Sequence, residues 1–235
     1  MAEEGRSNSP WRIGVYYQRL FLRGLRSELF EVARGLNLKQ SRVQDNESQA
    51  RLQRAIYTFQ VLSLAIPWMN RTKTSFTYPR VVSFVQALRT SPPTFPTNNL
   101  KVGVAGFCWG GKHAVLLSQD DAFTRVQRHE SQIKSTDLEP LIDCAFITHP
   151  SNLEVPDDIE AIMVPISVAV SDNYMVLKAA PAKQMKHILE AESGHKVTIL
   201  PGAKHGFAIR THPDDKYEME CAEKAEIQAI KWFTK

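Results

Sequence analysis

The chain has 235 residues, of which 43% are hydrophobic and 23% charged, an ordinary composition for a soluble globular protein with one core. Its net charge of +4 arises in residues 1–90, where 14 Lys and Arg outnumber 6 Asp and Glu, but no nucleic-acid recognition motif accompanies the excess. The three cysteines have no close spacing, which excludes a disulfide framework and a zinc-binding motif. Nucleic acid is therefore not an expected partner, and the basic excess is interpreted as the outer face of helices.

The first hundred residues carry weak structural signals. The polar start lacks the apolar region of a signal peptide, and the longest apolar run, residues 59–69, is too short to span a bilayer. These features predict a cytoplasmic protein with no membrane partner. The pattern favours a strand at 11–17 and helices at about 18–35, 47–66 and 79–89. Pro79 is expected to begin the last of these helices.

Strands alternate with helices from residue 101 onward. Strands are predicted at 102–107, 141–148, 161–171 and 196–200, and helices directly after Cys108, near 179–191 and near 214–233. This alternation is typical of βαβ units, so we predict an α/β fold whose mostly parallel sheet is flanked by helices, in a single domain of residues 1–235. The inward face of the last helix is expected to comprise Tyr217, Cys221, Ala225, Ala229 and Trp232. Cys221 and the strand residue Cys144 are therefore expected to be inert.

A cysteine occupies the turn between the predicted strand at 102–107 and its helix. The sequence Gly-x-Cys-x-Gly around Cys108 is typical of a nucleophile elbow, with cysteine in place of serine. Gly106 and Gly110 lack a Cβ atom, which permits a sharp turn and close packing. This pattern predicts a nucleophilic thiol. The alternative is a small apolar cysteine buried at a glycine-rich turn.

Polar side chains follow the predicted strands, where the ligands of parallel sheets bind: Cys108, His149, Asp172 and His205. The order Cys108, Asp172, His205 is the order nucleophile, acid, histidine of a catalytic triad. His205 would take the thiol proton, and Asp172 would fix the tautomer of its ring. The alternatives are that Asp172 is a turn residue and His205 a surface-loop imidazole. The remaining histidines are expected to be solvated: His113, His129, His187, His195 and His212.

Four segments together resemble the dienelactone hydrolase family of α/β-hydrolases, in particular its fungal-like branch. They are Gly-Phe-Cys-Trp-Gly-Gly-Lys (106–112), Thr-His-Pro-Ser (148–151), Ser-Asp-Asn (171–173) and His-Gly-Phe-Ala-Ile-Arg (205–210). The resemblance covers about residues 56–235 and leaves residues 1–55 as an atypical N-terminal segment of the same domain.

The resemblance implies a function for these residues. It makes Cys108, Asp172 and His205 the catalytic triad and the Trp109 N–H an oxyanion donor. It also implies that Arg210 and His149 contact the substrate, with Arg210 holding a carboxylate. The implied reaction is hydrolysis of a small anionic ester or lactone through an acyl-enzyme, with no cofactor and no metal. A polyketide-like secondary metabolite is the implied substrate, and a monomer or homodimer the implied assembly.

The N-terminal region departs from the family pattern. Family members carry a loop of the type Asp-Ile-Phe-Gly that supplies a second oxyanion N–H and restrains the thiol, and residues 1–60 contain no such loop. We therefore expect a sheet that lacks N-terminal strands and an oxyanion hole that lacks one donor, and one lost donor costs about 10²–10³ in kcat. The alternative function is a catalytically weak relative that binds an acidic small molecule or a protein partner.

Overall fold

The computed structural model describes residues 11–13, 47–95, 97–119, 121–132, 137–174, 177–212 and 214–235. The described residues belong to two compact units, one with residues 11–13 and 78–235 and the other with residues 47–77. The helix predicted at 18–35 and residues 14–17 of the first predicted strand lie outside the described part of the chain.

The smaller unit consists mainly of helix α1, Glu47–Arg71, which confirms the helix predicted at 47–66 and extends it to Arg71. Helix α2, Thr74–Thr90, begins before the predicted start at Pro79 and contains that proline. Proline lacks an N–H donor, which made it a plausible helix start, and the larger unit does begin beside it, at Tyr78. Within the described residues, no helix is both long and apolar enough to cross a membrane.

The larger unit contains the strands, which are β1 Trp11–Ile13, β2 Lys101–Phe107, β3 Arg125–Val126, β4 Glu139–Pro140, β5 Cys144–Thr148, β6 Ile166–Ser171, β7 Asn173–Tyr174, β8 Leu177–Lys178 and β9 Lys196–Leu200. Among the described residues, five of them form one parallel sheet in the order β1-β2-β5-β6-β9. The remaining four form two short antiparallel pairs, β3 with β4 and β7 with β8. The predicted α/β class with a mostly parallel sheet is confirmed.

The helices of the larger unit are the rest of α2, then α3 Trp109–Ser118, α4 Asp157–Glu160, α5 Ala179–Glu190 and α6 Lys216–Phe233. The sheet is covered on both faces, because Ala145 and Ile147 of β5 pack in one apolar cluster and Cys144 and Phe146 in another. Every residue of β5 and of β6 is buried, as expected for strands between two helical layers.

Two strands begin later than the sequence predicted. β5 starts at Cys144 rather than 141, because the backbone of Leu141 bonds to Thr124 outside the sheet and Asp143 turns toward Val102. β6 starts at Ile166, directly after Pro165, which has no N–H to donate to a ladder. Leu141 and Ile142 before β5, and Ile162 and Val164 before β6, are buried all the same, so at these positions the hydrophobic pattern indicated burial rather than strand.

The inward face of α6 is confirmed at Cys221, Ala225 and Trp232, which are buried. The prediction is wrong for Tyr217, which is 44% exposed and donates its hydroxyl to the Pro201 carbonyl. Glu218 is buried in its place because Lys204 neutralises its carboxylate at 2.7 Å. Cys144 and Cys221 are buried, as predicted.

Candidate active site

The turn between β2 and α3 is the sharp elbow that the glycine pattern predicted. Cys108 has a φ of 52°, in the left-handed region that non-glycine residues rarely adopt. A Cβ atom on Gly106 would lie 2.6 Å from the Gly110 carbonyl oxygen, and one on Gly111 would lie 2.8 Å from the Pro150 Cβ atom. Only glycine permits this approach, so the two glycines allow the strained conformation that presents the Cys108 side chain at the carboxyl edge of the sheet.

The Cys108 thiol contacts the His205 imidazole. The distance between Cys108 Sγ and His205 Nε2 is 3.0 Å, although the two residues are 97 positions apart. His205 lies in the turn after β9, where the Gly206 carbonyl accepts hydrogen bonds from the N–H groups of Ile209 and Arg210. Burial, and secondarily the positive charge of Arg210, lower the pKa of His205 below its usual value, so the neutral ring predominates at pH 7. A neutral imidazole in this position can accept the thiol proton.

His149 lies beside the same pair, directly after β5. Its side chain is fully buried, and its ring packs edge-on against His205 with centroids 5.0 Å apart and against Phe207 with centroids 5.5 Å apart. Desolvation by burial, followed by the charges of His205 and Arg210, lowers its pKa to about 4. Within the described part of the chain neither His149 ring nitrogen has a hydrogen-bond partner. The ligand atoms of Cys108, His149 and His205 all lie within 4.8 Å of one another.

Asp172 follows β6 and bonds to the loop that carries His205. Its Oδ1 atom accepts a hydrogen bond from the Gly202 N–H at 2.8 Å, so the carboxylate joins the backbone of this loop rather than the His205 ring. The structure thus brings Asp172 to the same edge of the sheet, and its role as the third triad member stays a prediction.

Trp109 is the first residue of α3, so its backbone N–H lies next to the thiol at the start of a helix. Its indole packs against the His113 ring with centroids 4.2 Å apart, and a nitrogen of that ring contacts the Trp109 carbonyl at 3.2 Å. His113 is only 4% exposed, and burial lowers its pKa. The prediction of a solvated His113 is therefore wrong, because an imidazole one helical turn after Trp109 is covered by the indole.

The other histidines divide into two groups. His187 and His212 are exposed, as predicted. His129 and His195 are half-buried, because Nδ1 of His129 contacts Ser131 Oγ at 2.8 Å and Nδ1 of His195 accepts from the Ile166 N–H at 3.3 Å. The predicted solvation is wrong for these two, since each ring nitrogen contacts a polar group of the protein.

Arg210 is exposed and lines a cleft of about 980 Å³ together with His205, Lys204 and Tyr217. Its guanidinium runs across Gly206, since Arg210 Nε lies 3.2 Å from the position that a Cβ atom on Gly206 would occupy. Lys204, in the same cleft, is ion-paired with Asp215 and Glu218. Arg210 therefore places positive charge next to the His205 ring, where an anionic group of a ligand would be stabilised.

Ser151 is a residue of this site that the sequence analysis missed. Its Oγ atom lies 3.8 Å from Cys108 Sγ, and its backbone N–H donates to the Cys108 carbonyl at 3.1 Å. Ligands of parallel sheets bind beyond the carboxyl ends of the strands, and this rule selected His149 after β5. Applied two residues further along the chain, the same rule also selects Ser151. Ser151 is thus a hydroxyl beside the sulfur, on a segment hydrogen-bonded to the elbow.

A parallel sheet with a cysteine at its strand-to-helix elbow, 3.0 Å from a histidine on a later loop, defines a protein of the α/β-hydrolase class. The family model of the dienelactone hydrolase family matches residues 64–235, which is more than half of the chain. The chain therefore belongs to the dienelactone hydrolase family, as the four segments indicated. The match begins at residue 64, somewhat later than the predicted 56.

The following three similar proteins are distant from this chain in sequence. The hydrolase tropI of the fungus Talaromyces stipitatus is 24% identical over 134 residues, which are 57% of this chain and 45% of that protein. The chain thus spans less than half the length of this curated relative. A crystal structure of dienelactone hydrolase from Anabaena variabilis has 17% identity and a TM-score of 0.44, covering 68% of this chain and 62% of that one. A dienelactone hydrolase-like promiscuous phosphotriesterase, P91, from metagenomic libraries has 17% identity and a TM-score of 0.40, covering 57% and 51%.

Proposed function

We propose that this protein hydrolyses an ester or lactone through an acyl-enzyme on Cys108. The observation that carries the proposal is the 3.0 Å contact between Cys108 Sγ and His205 Nε2 at a strained elbow. Transfer of the thiol proton to His205 yields a thiolate beside an imidazolium, and a thiolate is the nucleophilic form of cysteine. Burial and the Arg210 charge lower the pKa of His205, so its ring is neutral at pH 7 and Nε2 can accept the thiol proton.

The reaction has two steps. In the first, the Cys108 sulfur bonds to the acyl carbon, the bond to the leaving oxygen breaks, and His205 gives that oxygen its proton. In the second, His205 takes a proton from water, the hydroxide bonds to the acyl carbon, and the carbon–sulfur bond breaks to release a carboxylic acid and the thiol. Both steps pass through an oxyanion that needs hydrogen-bond donors.

Trp109 and Ser151 are our candidates for these donors. The Trp109 N–H stands at the start of α3, where the helix dipole also favours negative charge. The Ser151 hydroxyl lies 3.8 Å from the sulfur and is held by the bond from its own N–H to the Cys108 carbonyl. In this proposal Ser151 takes over the task that an N-terminal loop performs in other family members. Asp172 is the proposed third member of the triad and is supported by the hydrogen bond that joins its carboxylate to the His205 loop at Gly202.

The proposed substrate is a small anionic ester or lactone, such as a polyketide-like secondary metabolite. Arg210 supports an anionic substrate because it lies in the cleft beside His205. In this proposal His149 bounds the inner side of the substrate site, because its buried ring packs edge-on against His205. The proposed location is the cytoplasm, with no cofactor required.

Burst kinetics with p-nitrophenyl acetate test this function. We expect the wild type to release p-nitrophenolate in a burst close to one equivalent per chain, because the acyl-enzyme should form faster than water hydrolyses its thioester. Cys108→Ala should show no burst, whereas the matched control Cys144→Ala, which removes a buried thiol outside the site, should keep it. If wild type and Cys108→Ala release product equally slowly, a binding protein without turnover replaces the hydrolase.

A further inference from the structure

We propose that Cys108, His149 and His205 together form a binding site for Zn²⁺, a thiophilic cation that switches the thiol off. The sulfur and one nitrogen of each ring all lie within 4.8 Å of one another. Thiolate and imidazole are the ligands that zinc prefers, and one cysteine with two histidines leaves the fourth tetrahedral position to water. The spacing of the three residues along the chain gives no sign of this site, because three different loops bring them together.

His149 is the residue that distinguishes this proposed metal site from an ordinary thiol–imidazole pair. Its ring is fully buried, yet neither nitrogen has a hydrogen-bond partner in the described residues. Buried polar atoms nearly always have a partner, and leaving one without costs stability. The hydrolytic steps use only His205 as the base, so they leave the His149 nitrogens unexplained. A metal ion beside Cys108 would give one of them a bond.

Neighbouring aromatic rings pack the His149 ring in place. Its backbone is in the left-handed region with a φ of 33°, and its ring is packed by Phe107 and Phe207 with centroids 6.3 Å and 5.5 Å away. A ring held in this way loses little freedom on binding. His205, in contrast, is half-buried on the turn after β9.

The distances allow coordination after a small contraction. Zinc bonds of about 2.3 Å to sulfur and about 2.0–2.1 Å to nitrogen place tetrahedral ligand atoms about 3.3–3.6 Å apart. The widest separation of 4.8 Å must therefore close, whereas the 3.0 Å contact between Cys108 and His205 must open slightly. Binding forms one Zn–S and two Zn–N bonds, and the proton that the thiol and His205 share leaves to solvent. The sulfur lone pair and the base are then both engaged, so acylation stops.

Cobalt substitution tests the site directly, since Co²⁺ reports its own ligands. The full-length chain is titrated with Co²⁺ and then with Zn²⁺, for the wild type, Cys108→Ser, His149→Phe and the control His187→Phe, whose ring is exposed on α5. We expect one Co²⁺ per wild-type chain, with a sulfur-to-cobalt charge-transfer band that Zn²⁺ abolishes. Cys108→Ser should lose the band, and His149→Phe should weaken binding at least about tenfold, since even outer ligands of a metal are worth that much. His187→Phe should bind like the wild type.

A second measurement on the wild type alone keeps the proposal testable if His149→Phe does not fold. Zn²⁺ should protect Cys108 from iodoacetamide, with the buried Cys144 and Cys221 as internal references. The proposal is overturned if the wild type gives no charge-transfer band, if His149→Phe binds Co²⁺ as tightly as the wild type, or if Zn²⁺ leaves alkylation unchanged. The zinc site does not rest on turnover. A burst with p-nitrophenyl acetate in EDTA reports the proposed hydrolase function separately, so either can fail alone.

Discussion

The two ends of strand β5 differ in how their polar groups are satisfied. At the amino end, Asp143 accepts hydrogen bonds from Arg89, from Arg128 at 3.3 Å and from the Val102 N–H at 2.7 Å. Arg89 is fully buried and also donates to two backbone carbonyls. At the carboxyl end, His149 is equally buried and has no hydrogen-bond partner among the described residues.

This difference indicates what each end does. The amino end buries charge, and the hydrogen bonds of Arg89 and Asp143 hold α2 and β2 against β5. At the carboxyl end, His149 and the neighbouring Cys108 of the β2–α3 turn have strained backbones, and the His149 ring nitrogens lack hydrogen-bond partners among the described residues. Both features cost stability. Departures from local rules of this kind are expected at functional sites. Substitutions at the amino end should therefore act mainly on stability, and substitutions of the Cys108–His205 pair at the carboxyl end mainly on chemistry.

The largest effect on chemistry is expected from His205→Gln. Without a base the thiol stays protonated, so kcat/KM for p-nitrophenyl acetate should fall by about 10²–10⁴. The melting temperature should hardly change, because His205 is half-buried on a loop. The matched control His187→Gln should behave as the wild type. Near-normal turnover in His205→Gln would contradict the assignment of chemistry to the carboxyl end of β5.

The largest effect on stability is expected from Arg89→Met. This change leaves the Asp143 carboxylate buried without its main partner, which should lower the free energy of unfolding by about 3–5 kcal/mol. Urea unfolding measures the loss. Arg80→Met, on the exposed side of the same helix, serves as the control and should cost little. The comparison fails if the two variants are equally stable.

Acid should destabilise the carboxyl end through His149. In the unfolded chain the His149 imidazole gains a proton near pH 6.5, whereas in the folded protein its pKa is lowered to about 4. Stability from this residue is therefore present above pH 6.5 and falls by about 3 kcal/mol as pH drops to 4. Urea unfolding at both pH values, in EDTA, should show a smaller acid loss for His149→Phe than for the wild type. Equal losses would mean that His149 titrates normally.

Removing the hydroxyl of Ser151 should affect turnover alone. If this hydroxyl is the second oxyanion donor, Ser151→Ala should lower kcat by about 10² and leave KM nearly unchanged. Steady-state kinetics with p-nitrophenyl acetate measure both, and Ser83→Ala on α2 is the control. An unchanged kcat would assign the second donor to a different group.

The smallest effect is expected from Arg210→Gln. Loss of this charge raises the pKa of His205, so the acid limb of the pH profile of kcat/KM should move to higher pH, since only the neutral ring accepts the thiol proton. KM should also rise for an anionic ester more than for a neutral one. Arg80→Gln is the control. An unmoved acid limb would mean that the Arg210 charge is screened from the ring.

Much of this organisation follows from the sequence. The elbow at Cys108 and the position of His205 follow from glycine spacing and from the rule on strand ends, since both are properties of the backbone. The burial of His113 does not follow, because it depends on where the Trp109 indole packs. Ser151 was missed because its contact with Cys108 arises from tertiary structure. The starts of β5 and β6 were misplaced because apolar residues in a loop can be buried as fully as those in a strand.

The central claim is that Cys108 at the carboxyl end is the nucleophile. Mapping the acyl group by tandem mass spectrometry, after wild-type protein is mixed briefly with p-nitrophenyl acetate and quenched in acid, tests it most directly. The account predicts a thioester on Cys108, and none on Cys144 or Cys221. An acyl group on Ser151 or on a lysine, with Cys108 unmodified, would contradict it.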